Sequence, residues 1–396
     1  MALYAFDGTW NEKKDGEDGK ATNTNVARFF DAYHRNSGKQ DVYTPGVGTR
    51  YDVIGRVFGG GFGLGEVPRI LAAYNQLCLN WANGDTTIDV VGFSRGAATT
   101  LDFCHHLMKH GICTPGTDDV IEPSPKVRFL GVWDVVAAFG LANLGNTALN
   151  IGHHIELPST NLQYCFHALA LDERRPSFLP TRLPGACEVW FRGVHSDIGG
   201  GNGNRGLNDI TLKWMFSKAK AAGLPIADTA IQELQPNPAT EPKPARKLPF
   251  PTRFISPVDR RHHTVAPVPD WATPPDTCPV ETPADEQAAK EIGASGIEIL
   301  PLEQRIRIIA MWDQAEAVAK AHGFTLDLVH DALLTLFQGR LPLITNDAQL
   351  TEARKATVVL LNAMIRGAKN RGFHTLPAFF LTEALFQLPH IFPLTD

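Results

Sequence analysis

Short β-branched runs alternate with amphipathic stretches through residues 1–223, and that order leaves few architectures open. The runs "LYAF" (Leu3–Phe6), "QDVYT" (Gln40–Thr44), "TTIDVVGF" (Thr86–Phe93), "KVRFLGVW" (Lys126–Trp133) and "CEVWFRGV" (Cys187–Val194) have the length of strands, not helices. Between the second and third, "EVPRILAAYNQLCLNWANG" (Glu66–Gly84) spaces its apolar residues as a helix does and stops at Gly84. Ala97–Lys109 is a second predicted helix, closed by Gly111. Leu207–Gly223 is a third, with Asn208 as its N-cap. A strand that is apolar on both faces needs cover on both, and a helical crossover makes the strands it joins parallel. The expected fold class is therefore α/β, a mostly parallel sheet with helices on both faces.

Beyond residue 223 the texture changes. Half of the chain's 28 prolines fall between Pro225 and Pro283. Phe250, Phe254, Val265, Val268 and Trp271 give that stretch apolar anchors, so residues 224–285 are expected to form an ordered, irregular excursion rather than a free linker. Residues 286–396 read as helical in Leu302–His322, Leu326–Gln338 and Ala348–Lys369, and end in the apolar "TLPAFFLTEALFQLPHIFP". They are expected to form a cap or lid packed on the core of residues 1–223. The glycine-rich "FGGGFGLG" (Phe58–Gly65) lacks the spacing of a phosphate cradle and reads as a mobile loop.

A net charge of −5 and the lack of a long basic run argue against nucleic acid as a partner. The six cysteines are scattered with no C-x-x-C pair, as reduced cytoplasmic thiols are, and offer no zinc spacing. Asp7 stands where a leader would be apolar, and no run of about 18 apolar residues occurs. The chain is expected to be made in the cytoplasm without a signal peptide, so any export needs a route other than general secretion.

One strand ends unusually. "TTIDVVGFSRGAATTLDF" (Thr86–Phe103) puts Ser94 between Gly92 and Gly96, where the strand stops and a helix starts. Such a turn crowds its backbone, and flanking glycines relieve the crowding, so the pattern is that of a nucleophile elbow. A serine hydroxyl needs a base to take its proton and an acid to orient that base. On this architecture the chain order is serine, acid, histidine. Asp134 directly follows "VRFLGVW" and His195 directly follows "CEVWFRGV", in that order. Asp197 in "HSDIGGG" is the alternative acid, and Asp102, inside the helix after the elbow, is a third. Backbone donors for a developing oxyanion are expected from Arg95 and from Gly8 or Thr9 in "FDGTWN". The histidine pairs His105/His106, His153/His154 and His262/His263 have no carboxylate at ligand spacing, and no H-E-x-x-H occurs. No catalytic metal and no cofactor are expected; the acidic stretch Asp15–Asp18 leaves a bound Ca²⁺ open, without an EF-hand pattern.

With "FDGTWN", "YTPGVGT" (Tyr43–Thr49), "GFSRGAA", "FLGVWDVV", "FHALALDERRPSF" (Phe166–Phe178) and "VWFRGVHSDIGGG" in order, the chain resembles an α/β-hydrolase family that includes the first class of bacterial type VI secretion phospholipase effectors. The resemblance covers roughly residues 1–223. It implies an α/β-hydrolase-like fold, Ser94 as nucleophile, His195 as base and Asp134 as the acid, with Asp197 still an alternative. It further implies a serine carboxylester hydrolase of phospholipase or lipase type, working through an acyl-enzyme on a lipid or acyl-ester substrate. Peripheral membrane contact, an immunity protein as partner and export to a target cell by type VI secretion go with that reading. An intracellular esterase of small soluble esters and a non-catalytic binding scaffold are the alternatives. The block Asp172–Arg175 matches the family too, with Arg175 set to pair either a phosphate or Glu173.

Overall fold

The computed structural model describes residues 1–16, 22–37, 40–46, 67–136, 157, 161–173, 175, 178, 180–183, 185–243, 259–265 and 278–292. Along them run β1 (Ala2–Phe6), α1 (Asn25–Ser37), β2 (Val42–Thr44), α2 (Val67–Ala82), β3 (Ile88–Phe93), α3 (Arg95–His110), β4 (Ile112–Cys113), β5 (Val120–Glu122) and β6 (Val127–Trp133). There follow β7 (Leu162–Ala170), β8 (Cys187–Phe191), α4 (His195–Gly199), α5 (Arg205–Ala221), α6 (Asp228–Gln232), β9 (Arg260–His262), β10 (Val280–Glu281) and α7 (Pro283–Glu286). Among the described residues the main sheet has the order β2-β1-β3-β6-β7-β8-β9-β10, and each neighbouring pair in it is parallel.

The two-sided burial expected of parallel strands is visible in β1. Leu3 and Ala5 face a core shared with Phe29 and Tyr33 of α1 and Leu212, Met215 and Phe216 of α5. Ala2, Tyr4 and Phe6 face the opposite core, with Ile70 and Leu77 of α2 and Leu101, Phe103 and Leu107 of α3. Helices thus cover both faces, as an α/β-hydrolase-like sheet requires. Phe29 lies 5.4 Å from Phe216 and meets the Trp133 ring edge-on at 6.1 Å, and each such buried ring contributes roughly 2–3 kcal/mol.

The chain runs from β1 out to β2 and returns to β3 on the other side of β1. That reversal opens a crevice at the carboxyl ends of β1 and β3, the usual place for a site in an open α/β sheet. "FDGTWN" leaves β1 there, and Ser94 leaves β3 beside it.

Several boundaries differ from the sequence reading. The third predicted helix starts at Arg205, with Asn204 at its N-cap position, so Asn208 lies one turn inside and is buried. β8 ends at Phe191, and His195 opens a short helix instead of directly following the strand. The sequence signals neither α1 nor β7; "LQYCFHALA" carries a histidine and no β-branched residue, yet it pairs with β6 and β8 in the middle of the sheet. Within the proline-rich stretch, β9 and β10 extend the sheet, and Val265 is buried. Its other anchors, the loop Phe58–Gly65 and the predicted helices after residue 292 lie outside the described residues, as do Glu17 and Asp18 of the stretch Asp15–Asp18. All six cysteines are free. No helix among the described residues is long and apolar enough to cross a membrane.

One buried charge ties the two ends of the core sheet's first crossovers together. Asp89 of β3, fully buried, accepts from Arg128 Nε at 2.9 Å, Arg128 Nη2 at 2.6 Å and the Tyr33 hydroxyl at 2.7 Å. Asp89→Ala leaves a guanidinium and a phenol without their acceptor. It is expected to lower stability by about 3 kcal/mol, at the low end for a broken buried pair because Arg128 keeps some water contact. Urea denaturation of the two proteins measures it.

Candidate active site

Ser94 takes a left-handed backbone, φ 58° and ψ −125°, before α3 begins at Arg95. A non-glycine residue held there stores about 1–3 kcal/mol of strain. The turn is pinned by the Ser94 N–H donating to the Trp133 carbonyl at 3.0 Å and by the Ser94 carbonyl accepting from Ala97 N–H at 3.1 Å. Close approach, not only the turn, demands the glycines. A Cβ on Gly96 would stand 2.4 Å from the carbonyl oxygens of Phe6 and Asp7, and one on Gly92 would stand 2.6 Å from Thr100 Cγ2. The first turn of α3 therefore lies directly against the end of β1.

The ends of β3 and β6 and the start of α4 meet at this serine. His195 Nε2 is 2.8 Å from Ser94 Oγ, and His195 Nδ1 is 2.5 Å from Asp134 Oδ2. Asp134 follows β6 with φ 44°, a second left-handed non-glycine residue. Its N–H donates to the Ala168 carbonyl at 2.8 Å and its Oδ1 accepts from Ala170 N–H at 3.0 Å, so β7 fixes the carboxylate from below. Asp134 is fully buried, while Ser94 is 8% and His195 5% exposed, which leaves the serine the most open of the three. The rings of Phe93 and Phe178 pack against the imidazole at 4.6 and 4.7 Å.

Asp197 sits apart from this contact. Its Oδ2 accepts from the Val194 and Lys243 N–H groups, each at 3.0 Å. Its Oδ1 accepts from Asn202 Nδ2 at 2.7 Å and Asn204 Nδ2 at 2.8 Å. This carboxylate shapes the loop that carries His195. Asp102 lies about two turns into α3. Of the proposed acids, Asp134 is the one brought to the imidazole.

Asp172 and Glu173, to which no local pattern in the sequence gives a role, hold His195 in place. Glu173 Oε2 accepts from His195 N–H at 3.2 Å, and Asp172 Oδ2 accepts from Gly193 N–H at 2.6 Å and Arg192 Nε at 2.8 Å. Gly193 has φ 124°, and a Cβ there would stand 2.6 Å from Asp197 Cβ. Arg175 pairs with Glu173 through Nε at 2.9 Å and Nη2 at 2.8 Å, and its guanidinium lies 3.6 Å from the Phe178 ring centre. Asn208 Nδ2 donates to the carbonyls of Ser196 and Asp197, at 3.0 and 2.8 Å, which is the work it does in place of capping.

The loop after β1 carries the other predicted donors. The Gly8 N–H donates to Asp7 Oδ1 at 2.6 Å and is taken up locally. Thr9 Oγ1 is buried and has no hydrogen-bond partner among the described residues. Asp7 Oδ2 also accepts from Thr24 Oγ1 at 2.6 Å and Tyr43 Oη at 2.5 Å. Burial pushes the Asp7 carboxyl up to about 6, against the pull of those three donors.

The chain matches the family model described as "T6SS, Phospholipase effector Tle1-like, catalytic domain" over residues 3–123 and 116–218. No curated protein matches it. Among solved structures, it is similar to the Tle1 effector bound to the VgrG spike of the Type 6 secretion system, at 24% identity over 50% of each chain, with a TM-score of 0.37. It is also similar to a protein from Pseudomonas aeruginosa, at 20% identity over 98% of this chain and 62% of that one, with a TM-score of 0.40. The chain thus spans half of the first and less than two thirds of the second.

The two acids separate by their variants. Asp134→Asn is expected to keep the fold and lower ester turnover by about 10⁴, because an amide selects the wrong imidazole tautomer. Asp197→Asn is expected to cost about 3 kcal/mol of stability, since one amide oxygen cannot accept four donors. Ester kinetics and thermal melts of both variants check this; a turnover collapse confined to Asp197→Asn would give that residue the catalytic role.

Proposed function

The chain belongs to the Tle1-like phospholipase effector catalytic-domain family of type VI secretion, and from that premise we propose that it is a serine hydrolase of phospholipid acyl esters. The single observation that carries the proposal is the relay from Asp134 through His195 to Ser94, with both contacts within hydrogen-bond distance. Family membership supports the substrate class; the geometry supports the mechanism.

In the proposed reaction, Ser94 Oγ attacks the ester carbonyl as His195 Nε2 takes its proton. Asp134 keeps the proton of the imidazole on Nδ1 and stabilises the imidazolium that forms. The Arg95 N–H, at the head of α3, and the Thr9 N–H receive the oxyanion, where the positive end of the helix dipole adds to the donors. His195 returns the proton to the departing lysolipid alcohol. Water, activated by the same imidazole, then frees the fatty acid and restores Ser94. These steps draw on side chains, backbone amides and water alone.

The family's tie to type VI secretion supports export of the protein by that apparatus, with the lipids of a target-cell membrane as substrate. A producing cell that makes such an enzyme needs an immunity protein to spare its own membranes, and that protein is the proposed partner.

Incubation with mixed phospholipid vesicles, followed by product analysis, tests the reading. Release of fatty acid and lysolipid is expected from the wild-type protein, with loss of at least about 10³-fold in Ser94→Ala, whose residual rate rests on binding and the oxyanion donors. A fluorophosphonate should label the wild type and not the variant. Cleavage of short soluble esters with no response to vesicles would instead make it a small-ester esterase, and no labelling at all would leave a binding scaffold.

A further inference from the structure

We infer that His262, His263 and Glu286 form a binding site for a divalent transition ion of the zinc type, separate from the Ser94 centre. Neither histidine has a carboxylate at ligand spacing in the sequence, because the acid arrives 24 residues after His262 from another element. His262 closes β9, His263 follows it, and Glu286 closes α7. His262 Nε2 and His263 Nε2 lie 2.7 and 2.8 Å from the same oxygen, Glu286 Oε1. One ligand atom from each residue falls within 4.8 Å of the others.

Two imidazoles and one carboxylate are the donor set that zinc takes in many three-ligand sites, with water in the fourth place. Tetrahedral bonds of about 2.0–2.1 Å hold donor atoms about 3.3 Å apart, so each contact has to open by roughly 0.5–0.6 Å to seat the ion. His263 can make that movement: its side chain is 35% exposed, while those of His262 and Glu286 are 3% and 7%. The exposed side also gives water its approach. The ion replaces the protons that the imidazoles now share with Glu286.

The surroundings hold the ligands ready. His262 Nδ1 faces Thr264 Oγ1 at 2.7 Å, and that hydroxyl can accept from Nδ1–H once Nε2 binds the ion. The Thr264 N–H, 3.3 Å from Nδ1, favours the other tautomer without the ion, so loading shifts the ring's proton from one nitrogen to the other. Phe191, the last residue of β8, stacks on the His262 ring at 4.6 Å. Thr282 caps α7 by accepting from Asp285 N–H, and Lys218 of α5 donates to the carbonyls of Asp285 and Ala288, at 2.5 and 2.9 Å. The ion would clamp β9 to α7, and so fasten the proline-rich stretch to the rim of the sheet.

Full-length protein stripped with chelator and titrated with Co²⁺ tests the site. Uptake of one ion with the visible absorption of tetrahedral cobalt is expected, and Zn²⁺ should displace it and raise the Tm by several degrees. His263→Ala should abolish both effects while keeping the metal-free Tm near that of the wild type; Glu286→Gln is the second arm should that variant fold poorly. His106→Ala removes one of a helical histidine pair whose rings lie 4.5 Å apart, and should change nothing. No uptake by the wild type, equal uptake by His263→Ala and Glu286→Gln, or loss of uptake only in His106→Ala would each overturn the site. Ester turnover is read separately, so the clamp stands or falls apart from the hydrolase proposal.

Discussion

The contact between Asp134 and His195 sets the terms for everything around it. A carboxylate shut away from water is tolerable only if the protein supplies its hydrogen bonds. Asp134 receives them from the imidazole and from the backbone of β7. The sheet itself is thus the scaffold that aims the histidine. Its strands must keep their register to within a fraction of an ångström, because a shift of β7 along β6 would move Ala170 from under the carboxylate.

Four buried acids near the site do four different jobs. Asp134 meets the imidazole, Glu173 holds the His195 backbone, Asp172 holds the glycine turn before it, and Asp197 gathers the asparagines after it. Asn25 of α1 joins this group by donating to the Ile198 and Asn208 carbonyls and to Thr211 Oγ1. None of the last three carboxylates needs to touch a substrate to matter. Each fixes a loop that would otherwise let the ring swing, and positioning of this kind accounts for much of what an enzyme adds over its isolated groups.

How far the sequence could be read depended on whether the signal was local. The elbow was legible because β-branched strand, glycines and serine are adjacent, and steric crowding acts between neighbours. β7 was not, because "LQYCFHALA" becomes a strand through its partners β6 and β8 rather than through its own preferences. The choice between Asp134 and Asp197 also lay beyond local patterns. It turned on a left-handed residue at 134 and on two asparagines that capture the other carboxylate. Glu286 illustrates the limit most clearly: no spacing rule connects it to a histidine pair on a different strand.

The serine and the histidine are 101 residues apart in the chain, and the histidine and its acid 61. No short segment can therefore bring the three together, and contacts of that separation are slow to form because they depend on the parallel strands between them. Refolding protein should recover its helical signal well before His195 reaches Ser94. The topology itself acts as a delay: the three side chains meet only once β8 has docked beside β7 and brought the segment after it to the sheet's edge.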